Sequence, residues 1–401
     1  MVETLQRRKQ VLWSQIESEQ GVFSDILSRL PVQSIRSFQT INRYWYGSVR
    51  NKLFAKQQLN RSRENPTFIV GQIRDSKMKL YSMKPGSFKL SNVNRINPSE
   101  RSDQEQMYMI SSFNGLICCI NQRCDKDVEN ELCDLQIWIC NPCTGETLLL
   151  PQGRPSYQFV PSVGVAYHSD ISDYEVFRIF CAGKKRVFDR FVIQDGHMVR
   201  KYRFDLAYEC EMYSSNTVSW KNIGPVPCLP MESYFSPLRS GHVFIGGKVY
   251  WLSSLVDGGK ILSVDLRGRF EVIQLPPYPD GLKEEDSITE ASYLINLRGA
   301  LSMVILHPGY MDTWVRKEGD KTSSTWVLEY VDKTPIDDLE LVLAMTSSEN
   351  QIICMTDKRW YYFDVDTGTW SKKRVNSAAF ESPAVFPFTE SVLPCNGGLM
   401  L

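Results

Sequence analysis

The apolar positions of this chain follow two different rhythms. From Val22 to Trp45 they fall at helical spacings, with Phe23, Ile26, Leu27 and Leu30 before Pro31, and Val32, Ile35, Phe38 and Ile41 after it. Upstream, Leu5, Leu12 and Ile16 share one side of a further helical stretch, and helical character persists to about Leu59. The pattern predicts a small helical head. A module of about 40 residues seldom buries enough surface to stand alone, so some partner surface is expected to cover it.

From Pro66 the rhythm shortens. Runs rich in Val, Ile, Tyr, Phe and Trp are separated by clusters of Gly, Pro, Asn and Asp, the grammar of an all-β domain. The expected division is therefore residues 1–62 for the head and residues 66–395 for the β domain. Ser87 to Gln106 and Asp280 to Ser287 read as loops within it.

An imperfect repeat runs through the β region. A strand ends in a polar turn and an aromatic or Leu-Pro follows, as in Asn141-Pro142-Cys143-Thr144-Gly145-Glu146 leading to Leu150-Pro151. Asp364-Val365-Asp366-Thr367-Gly368-Thr369-Trp370 has the same order, and Ser214 to Trp220 a looser version. Gly246-Gly247-Lys248-Val249-Tyr250-Trp251 begins another unit. Blades of a β-propeller repeat in this manner, because a four-stranded blade cannot cover both its faces alone and wedges large aromatics against its neighbours. The fold class expected is α + all-β, a helical head followed by a propeller-like domain, with a pair of β-sandwiches as the alternative.

Composition alters this picture little. The chain has 401 residues, formal net charge zero and no apolar run long enough for a membrane span. Charge is uneven, however: residues 1–62 carry +6 and the remainder −6. A basic head suits an acidic partner surface. Its basic residues are not interleaved with exposed aromatics, so nucleic acid is not the expected partner. Eleven scattered cysteines, without a signal peptide, suggest reduced thiols inside a cell, in the cytoplasm and/or nucleus. Cys140 and Cys143 form a lone C-x-x-C without a second pair, read as two core cysteines around an Asn-Pro turn rather than a zinc site.

The segment Ile26-Leu27-Ser28-Arg29-Leu30-Pro31-Val32-Gln33-Ser34-Ile35-Arg36-Ser37-Phe38, followed by Asn42-Arg43-Tyr44-Trp45 and Leu53-Phe54, resembles the F-box of plant F-box proteins. Asn141-Pro142, Thr144-Gly145, Leu150-Pro151 and Gly247-Lys248-Val249-Tyr250-Trp251 are similar to the F-box-associated or kelch-type β domain that follows it in that family. The resemblance places the F-box at about residues 18–60. It implies a non-catalytic substrate receptor of an SCF-type cullin-RING ubiquitin ligase, docked on a Skp-type adaptor and through it on the cullin and RING proteins. It further implies Ile26, Leu27, Leu30, Pro31, Val32, Ile35, Phe38 and Trp45 as core and adaptor-contact residues. One departure stands out: Ser18-Glu19 occupies the place where the family opens with Leu-Pro, and Thr40 replaces its usual Cys.

Residues for chemistry are sparse. His168, His197, His242 and His307 are scattered, and no zincin, P-loop or nucleophile-elbow motif occurs. Asp364 and Asp366 read as turn residues rather than calcium ligands. No cofactor, metal or membrane is expected. Target capture would fall on loops, among which Tyr157, Phe159, Tyr234, Phe235, His307 to Trp314 and Asp280 to Asp286 are candidates. Two other functions compete: a kelch-type propeller enzyme or sugar-binding protein, and an F-box-like scaffold outside any ligase.

Overall fold

The structure is a computed structural model that describes residues 21–22, 24–39, 47, 49, 51–74, 77–85, 89–93, 107–124, 133–157, 162–168, 173–194, 197–230, 241–253, 259–277, 292–318, 324–337, 340–374 and 381–396. Two helices, α1 (Val32–Gln39) and α2 (Lys52–Ser62), follow a helical turn at residues 24–27. Every later element is a strand.

Twenty-four strands form six four-stranded antiparallel sheets. The first blade contains β1 (Thr67–Arg74), β2 (Lys77–Met83) and β3 (Leu90–Asn92), and its innermost strand is the last of the chain, β24 (Glu381–Phe388). The second comprises β4 (Met107–Phe113), β5 (Leu116–Cys124), β6 (Cys133–Cys140) and β7 (Thr147–Leu149). In the third are β8 (Ser162–Tyr167), β9 (Tyr174–Gln194), β10 (His197–Ser214) and β11 (Ser219–Pro225). The fourth holds β12 (Val243–Ile245), β13 (Lys248–Leu252), β14 (Lys260–Asp265) and β15 (Phe270–Gln274). The fifth consists of β16 (Ser292–Leu297), β17 (Ala300–His307), β18 (Tyr310–Glu318) and β19 (Ser324–Lys333). The sixth has β20 (Val342–Ser348), β21 (Gln351–Thr356), β22 (Arg359–Asp364) and β23 (Thr369–Arg374).

The inner strands β4, β8, β12, β16, β20 and β24 neighbour one another around a closed ring. The domain is therefore a six-bladed β-propeller, and the sandwich alternative falls. Closure is made by β24, whose register on β1 pairs Phe68 with Pro387 and Val70 with Val385. An innermost strand has only one ladder, so Pro383 and Pro387 are tolerated there.

Burial explains why the middle strands read as continuous apolar runs. Ile352 to Met355 of β21 and Trp360 to Phe363 of β22 are buried on both faces, because each blade is sandwiched between two others. Outer strands such as β11 and β23 are largely exposed. The repeated polar turn joins the third and fourth strands of a blade. Asp364 Oδ1 accepts the amides of Asp366 and Thr367 at 3.1 and 2.9 Å, and Asp265 Oδ1 accepts those of Arg267 and Arg269 at 2.9 Å each. These are Asx turns, for which a short acceptor at the turn's first position is required. Tryptophans on fourth strands tie adjacent blades: Trp220 Nε1 donates to the Pro151 carbonyl at 2.7 Å, and Trp326 Nε1 to that of Gln274 at 2.9 Å.

Packing between the third and fourth blades has no spare room at Gly164. A Cβ there would lie 2.4 Å from Trp251 Cζ2 and 2.7 Å from Val249 Cγ1. Gly164→Ala is expected to lower stability by about 1–3 kcal/mol through overpacking. Denaturant unfolding checks this, and an unchanged midpoint would refute the contact.

Candidate functional site

The helical head sits at one end of the propeller's axis. α2 leads directly into β1, and β1 starts at the end where the inner strands finish. The same end carries the turns from third to fourth strand, including Asn141 to Glu146. The segment that follows β24 runs between head and blades and is held from both sides.

Asn141, fully buried, faces this segment from the blade side. Its Nδ2 donates to the carbonyls of Ser391 and Leu393 at 3.0 and 2.8 Å, while its Oδ1 accepts the amides of Cys143 and Thr144. Gln58 of α2, also buried, faces it from the head: its Oε1 accepts the Val392 amide at 3.2 Å and its Nε2 donates to the Glu390 carbonyl at 3.3 Å and to Ser62 Oγ at 2.7 Å. Gly115 lies beneath the segment at φ +80°, and a Cβ there would meet Ser391 Oγ at 2.3 Å. Further links join head and blades: Arg36 Nη1 donates to the Cys143 carbonyl at 2.9 Å, and Arg63 Nη2 to Asn114 Oδ1 at 2.9 Å. Within the head, Arg61 donates to Asp25 and Ser28, and the hydrogen bonds from Arg61 and Arg29 hold the Asp25 carboxyl below its usual range.

These links fix where the expected adaptor residues lie. Leu27, Val32 and Ile35 are buried in one apolar cluster with Val49, Phe54, Ala55 and Leu59 of the head and Ile69, Met109, Ile117 and Cys143 of the first two blades. Leu30 packs half-buried against that cluster. Ile26 is 52% exposed and Pro31 is exposed, and the head also exposes Val22 and Leu53 at 61% and 76%. Trp45, the Phe38 side chain and Ser18-Glu19 lie outside the described residues. The apolar stripe of the head thus has a cover in its own chain.

The ring encloses an axial channel with a cavity of about 820 Å³, lined by the inner-strand residues Ser111, Tyr293, Thr346 and Phe386 among others and by His242 just before β12. Among the described residues no group of three or more His, Cys, Asp or Glu side chains could hold a metal ion. His242 accepts the Val165 amide on Nε2 at 2.9 Å, and burial pushes its pKa down to about 4. His307 lies 3.1 Å from Asp312 Oδ2 and stacks on Tyr310, and His168 lies 3.5 Å from Glu175. Cys140 and Cys143 are free and buried around the Asn141 turn. Of the expected target-capture residues, Tyr157 donates its amide to the Cys181 carbonyl at the edge of the third blade, and His307 to Trp314 form the turn and first half of β18. Phe159, Tyr234, Phe235 and Asp280 to Asp286 lie outside the described residues.

One prominent feature escaped the sequence reading. β9 and β10 continue past the blade as a long two-stranded hairpin, with Lys184 paired to Leu206 and Met198 to Ile193. The signal was present as Lys184-Lys185-Arg186-Val187-Phe188-Asp189-Arg190-Phe191 facing Arg200-Lys201-Tyr202-Arg203-Phe204-Asp205, two alternating runs flanking a Gln194-Asp195-Gly196 turn.

Residues 67–389 match the model of the F-box associated beta propeller domain family. The chain belongs to that family. It is similar to the F-box protein At5g49610 of Arabidopsis thaliana, at 24% identity over 94% of this chain and 97% of the relative. F-box protein At5g07610 of the same plant is 23% identical over 86% of this chain and 76% of its own. Among solved structures, apo AztD from Citrobacter koseri aligns with a TM-score of 0.32 at 12% identity, over 82% of this chain and 99% of that one, a likeness too slight to carry an argument.

Two outcomes test this geometry. Asn141→Asp keeps the acceptor for the turn but removes both donors to the segment after β24, and is expected to cost about 2–3 kcal/mol in denaturant unfolding, as is Asn141→Ala. A midpoint at the wild-type value for the Asp variant would show that the segment does not depend on those donors. His242 supplies a pH signature. The unfolded imidazole titrates near pH 6.5, whereas the folded one resists protonation until about pH 4. Its contribution is therefore complete above about pH 6.5 and is lost as pH falls toward 4, by up to about 2 kcal/mol after allowing for the ring's partial access to the channel. Melting curves of the wild type and His242→Gln across this range are expected to differ in slope, and parallel curves would refute the assignment.

Proposed function

We propose that this member of the F-box associated propeller family is the substrate-receptor subunit of an SCF-type cullin-RING ubiquitin ligase, with an F-box at about residues 18–60 docking on a Skp-type adaptor and the β domain of residues 66–395 taking the target protein. The chain itself performs no chemistry in this reading. The observation that carries it is the position of the head: its described residues crown one end of the propeller and keep Ile26, Pro31, Val22 and Leu53 exposed. Large exposed apolar side chains on a small basic module suit a partner with an apolar groove and an acidic rim. The nine cysteines whose side chains are described are all free thiols, which supports a place in the cytoplasm and/or nucleus. No described helix is long and apolar enough to cross a membrane.

A second reading draws on a specific observation. Leu27, Val32 and Ile35, which the family resemblance would offer to the adaptor, are buried in an apolar cluster that the head shares with the first two blades, an arrangement that also suits a scaffold outside any ligase. The two are separated by co-purification with the adaptor and cullin. Ile26→Asp changes an exposed side chain and is expected to weaken adaptor binding about tenfold or more while the melting temperature stays put. Leu30→Ala with Pro31→Ala is expected to abolish it with the β domain still folded. Wild-type protein that fails to capture purified adaptor would favour the scaffold.

A further inference from the structure

The hairpin of the third blade points away from the head. β9 begins beside the head, where Lys52 Nζ lies 3.8 Å from Asp173, and runs to the opposite end before turning. Its root is firm: Arg178 and Glu211 face each other in register and form a buried ion pair at 2.9 Å, with the Arg178 guanidinium 5.0 Å over the Phe180 ring. β8 pairs with β9 only as far as Ile179, and β11 with β10 only from Glu209. From Lys185 to Arg190, and from Lys201 to Leu206, no third strand runs alongside among the described residues. A ribbon of roughly ten residues per strand projects about 30 Å.

Its composition is unusual for a solvated projection. Residues 184–205 hold seven Lys or Arg against three Asp, a local charge of +4 in a chain whose net charge is zero. Register pairs place Phe188 opposite Tyr202, Arg186 opposite Phe204, and Phe191 opposite Arg200, so these six share one face. Four large rings on that face are exposed: Phe188 47%, Phe191 53%, Tyr202 39% and Phe204 51%. Cations lie over three of them. Arg186 sits 4.0 Å from the Tyr202 centroid, Lys184 4.4 Å from Phe204 and Arg200 6.0 Å from Phe191. The other face carries Lys185, Arg190, Lys201 and Arg203, of which Arg190 and Arg203 lie 3.7 and 3.5 Å from Asp189 and Asp205 in exposed pairs of small value.

We infer that this hairpin is the docking arm for an acidic, extended polypeptide segment, which adds as a third strand to an open edge and sets carboxylates against Lys184, Arg186 and Arg200. Three features favour that occupant. Open backbone edges offer hydrogen bonds to a strand, not to a helix or a small ion. A lone two-stranded ribbon is marginal in water and gains from a third strand. Nucleic acid needs open ring faces for base stacking, and here three rings already carry a cation. The inference deepens the receptor reading, since it names the chemistry of the target, and it rests on that reading for the biological role of the arm.

The test uses the full chain, a fluorescein-labelled peptide of alternating Glu and Val, its Lys-Val counterpart, and a single-stranded oligothymidylate. One variant replaces residues 184–206 by Asn-Gly, closing the hairpin across the Gly183–Ala207 pair. A second carries Arg186→Glu and Arg200→Glu. The wild type is expected to bind the acidic peptide more tightly than either other probe, and both variants to lose about tenfold or more at an unchanged melting temperature. Binding by the shortened chain equal to the wild type, no acidic-peptide binding by the wild type, or preference for the oligonucleotide would each overturn the inference. Adaptor capture on the same proteins keeps the two readings apart. Peptide binding that persists without adaptor capture leaves the arm in place and sinks the receptor role, whereas adaptor capture with no peptide binding does the reverse.

Discussion

A ring of blades is only as secure as its last joint. In this protein the joint extends beyond the β24–β1 ladder into the segment from Thr389 to Cys395, which Asn141 grips from the second blade and Gln58 from the last head helix. Farther along, Cys395 donates its amide to Glu146 Oε1 at 3.0 Å and accepts the Tyr174 hydroxyl at 2.7 Å, which carries the tie on to the third blade. Four buried amides and carbonyls of an irregular segment would otherwise lack partners, at about 1–3 kcal/mol each. Ring closure and head attachment are therefore one constraint. Disturbing either loosens both.

That constraint gives the molecule two unlike ends. At one, the head, the segment after β24 and the Asn141 turn share the apolar cluster between the first and second blades. At the other, the long hairpin projects, and no described helix covers it. The positive charge is concentrated correspondingly: +6 in residues 1–62 and +4 in residues 184–205, which leaves −10 on the rest. Two basic projections on an acidic ring will be drawn to acidic partners and kept from folding back only by their rigid roots. For the hairpin that root is the Arg178–Glu211 pair, where burial raises the Glu211 carboxyl and Arg178 offsets the rise.

How much of this was legible follows from the range of each interaction. The Asx turns at Asp265 and Asp364 were readable, because acceptor and turn are neighbours in sequence, whereas the tryptophan bonds to Pro151 and Gln274 span 69 and 52 residues. The stripe of Leu27, Val32 and Ile35 was readable as an apolar face in need of cover. Periodicity says that a face is buried, not against what, so the propeller's own claim on it had no sequence signal. Asn141 and Ser391 are 250 residues apart, and nothing local marks the asparagine as more than a turn residue. The hairpin was hidden for the opposite reason. Its alternation of Lys or Arg with Phe, Val and Tyr extends the apolar run of Val176 to Cys181 without a break, so that one long strand looks like a strand and a charged loop.

The burial of the head sets the geometry of any complex built on it. Removing Leu27, Val32 and Ile35 from water is worth about 1.5–3 kcal/mol for each side chain, which exceeds what thermal motion supplies at a hinge. The cluster is shared by head and blades, so an adaptor that had to open it would spend part of that amount against its own binding. An adaptor that uses Ile26, Pro31 and their exposed neighbours would not, and would inherit a rigid platform. The distance from the adaptor to a segment held at the far end would then be fixed by the height of the blades and the reach of the hairpin. Flexibility needed to bring a target's lysines within range would have to come from the target, which fits a receptor that grips an extended segment rather than a folded surface.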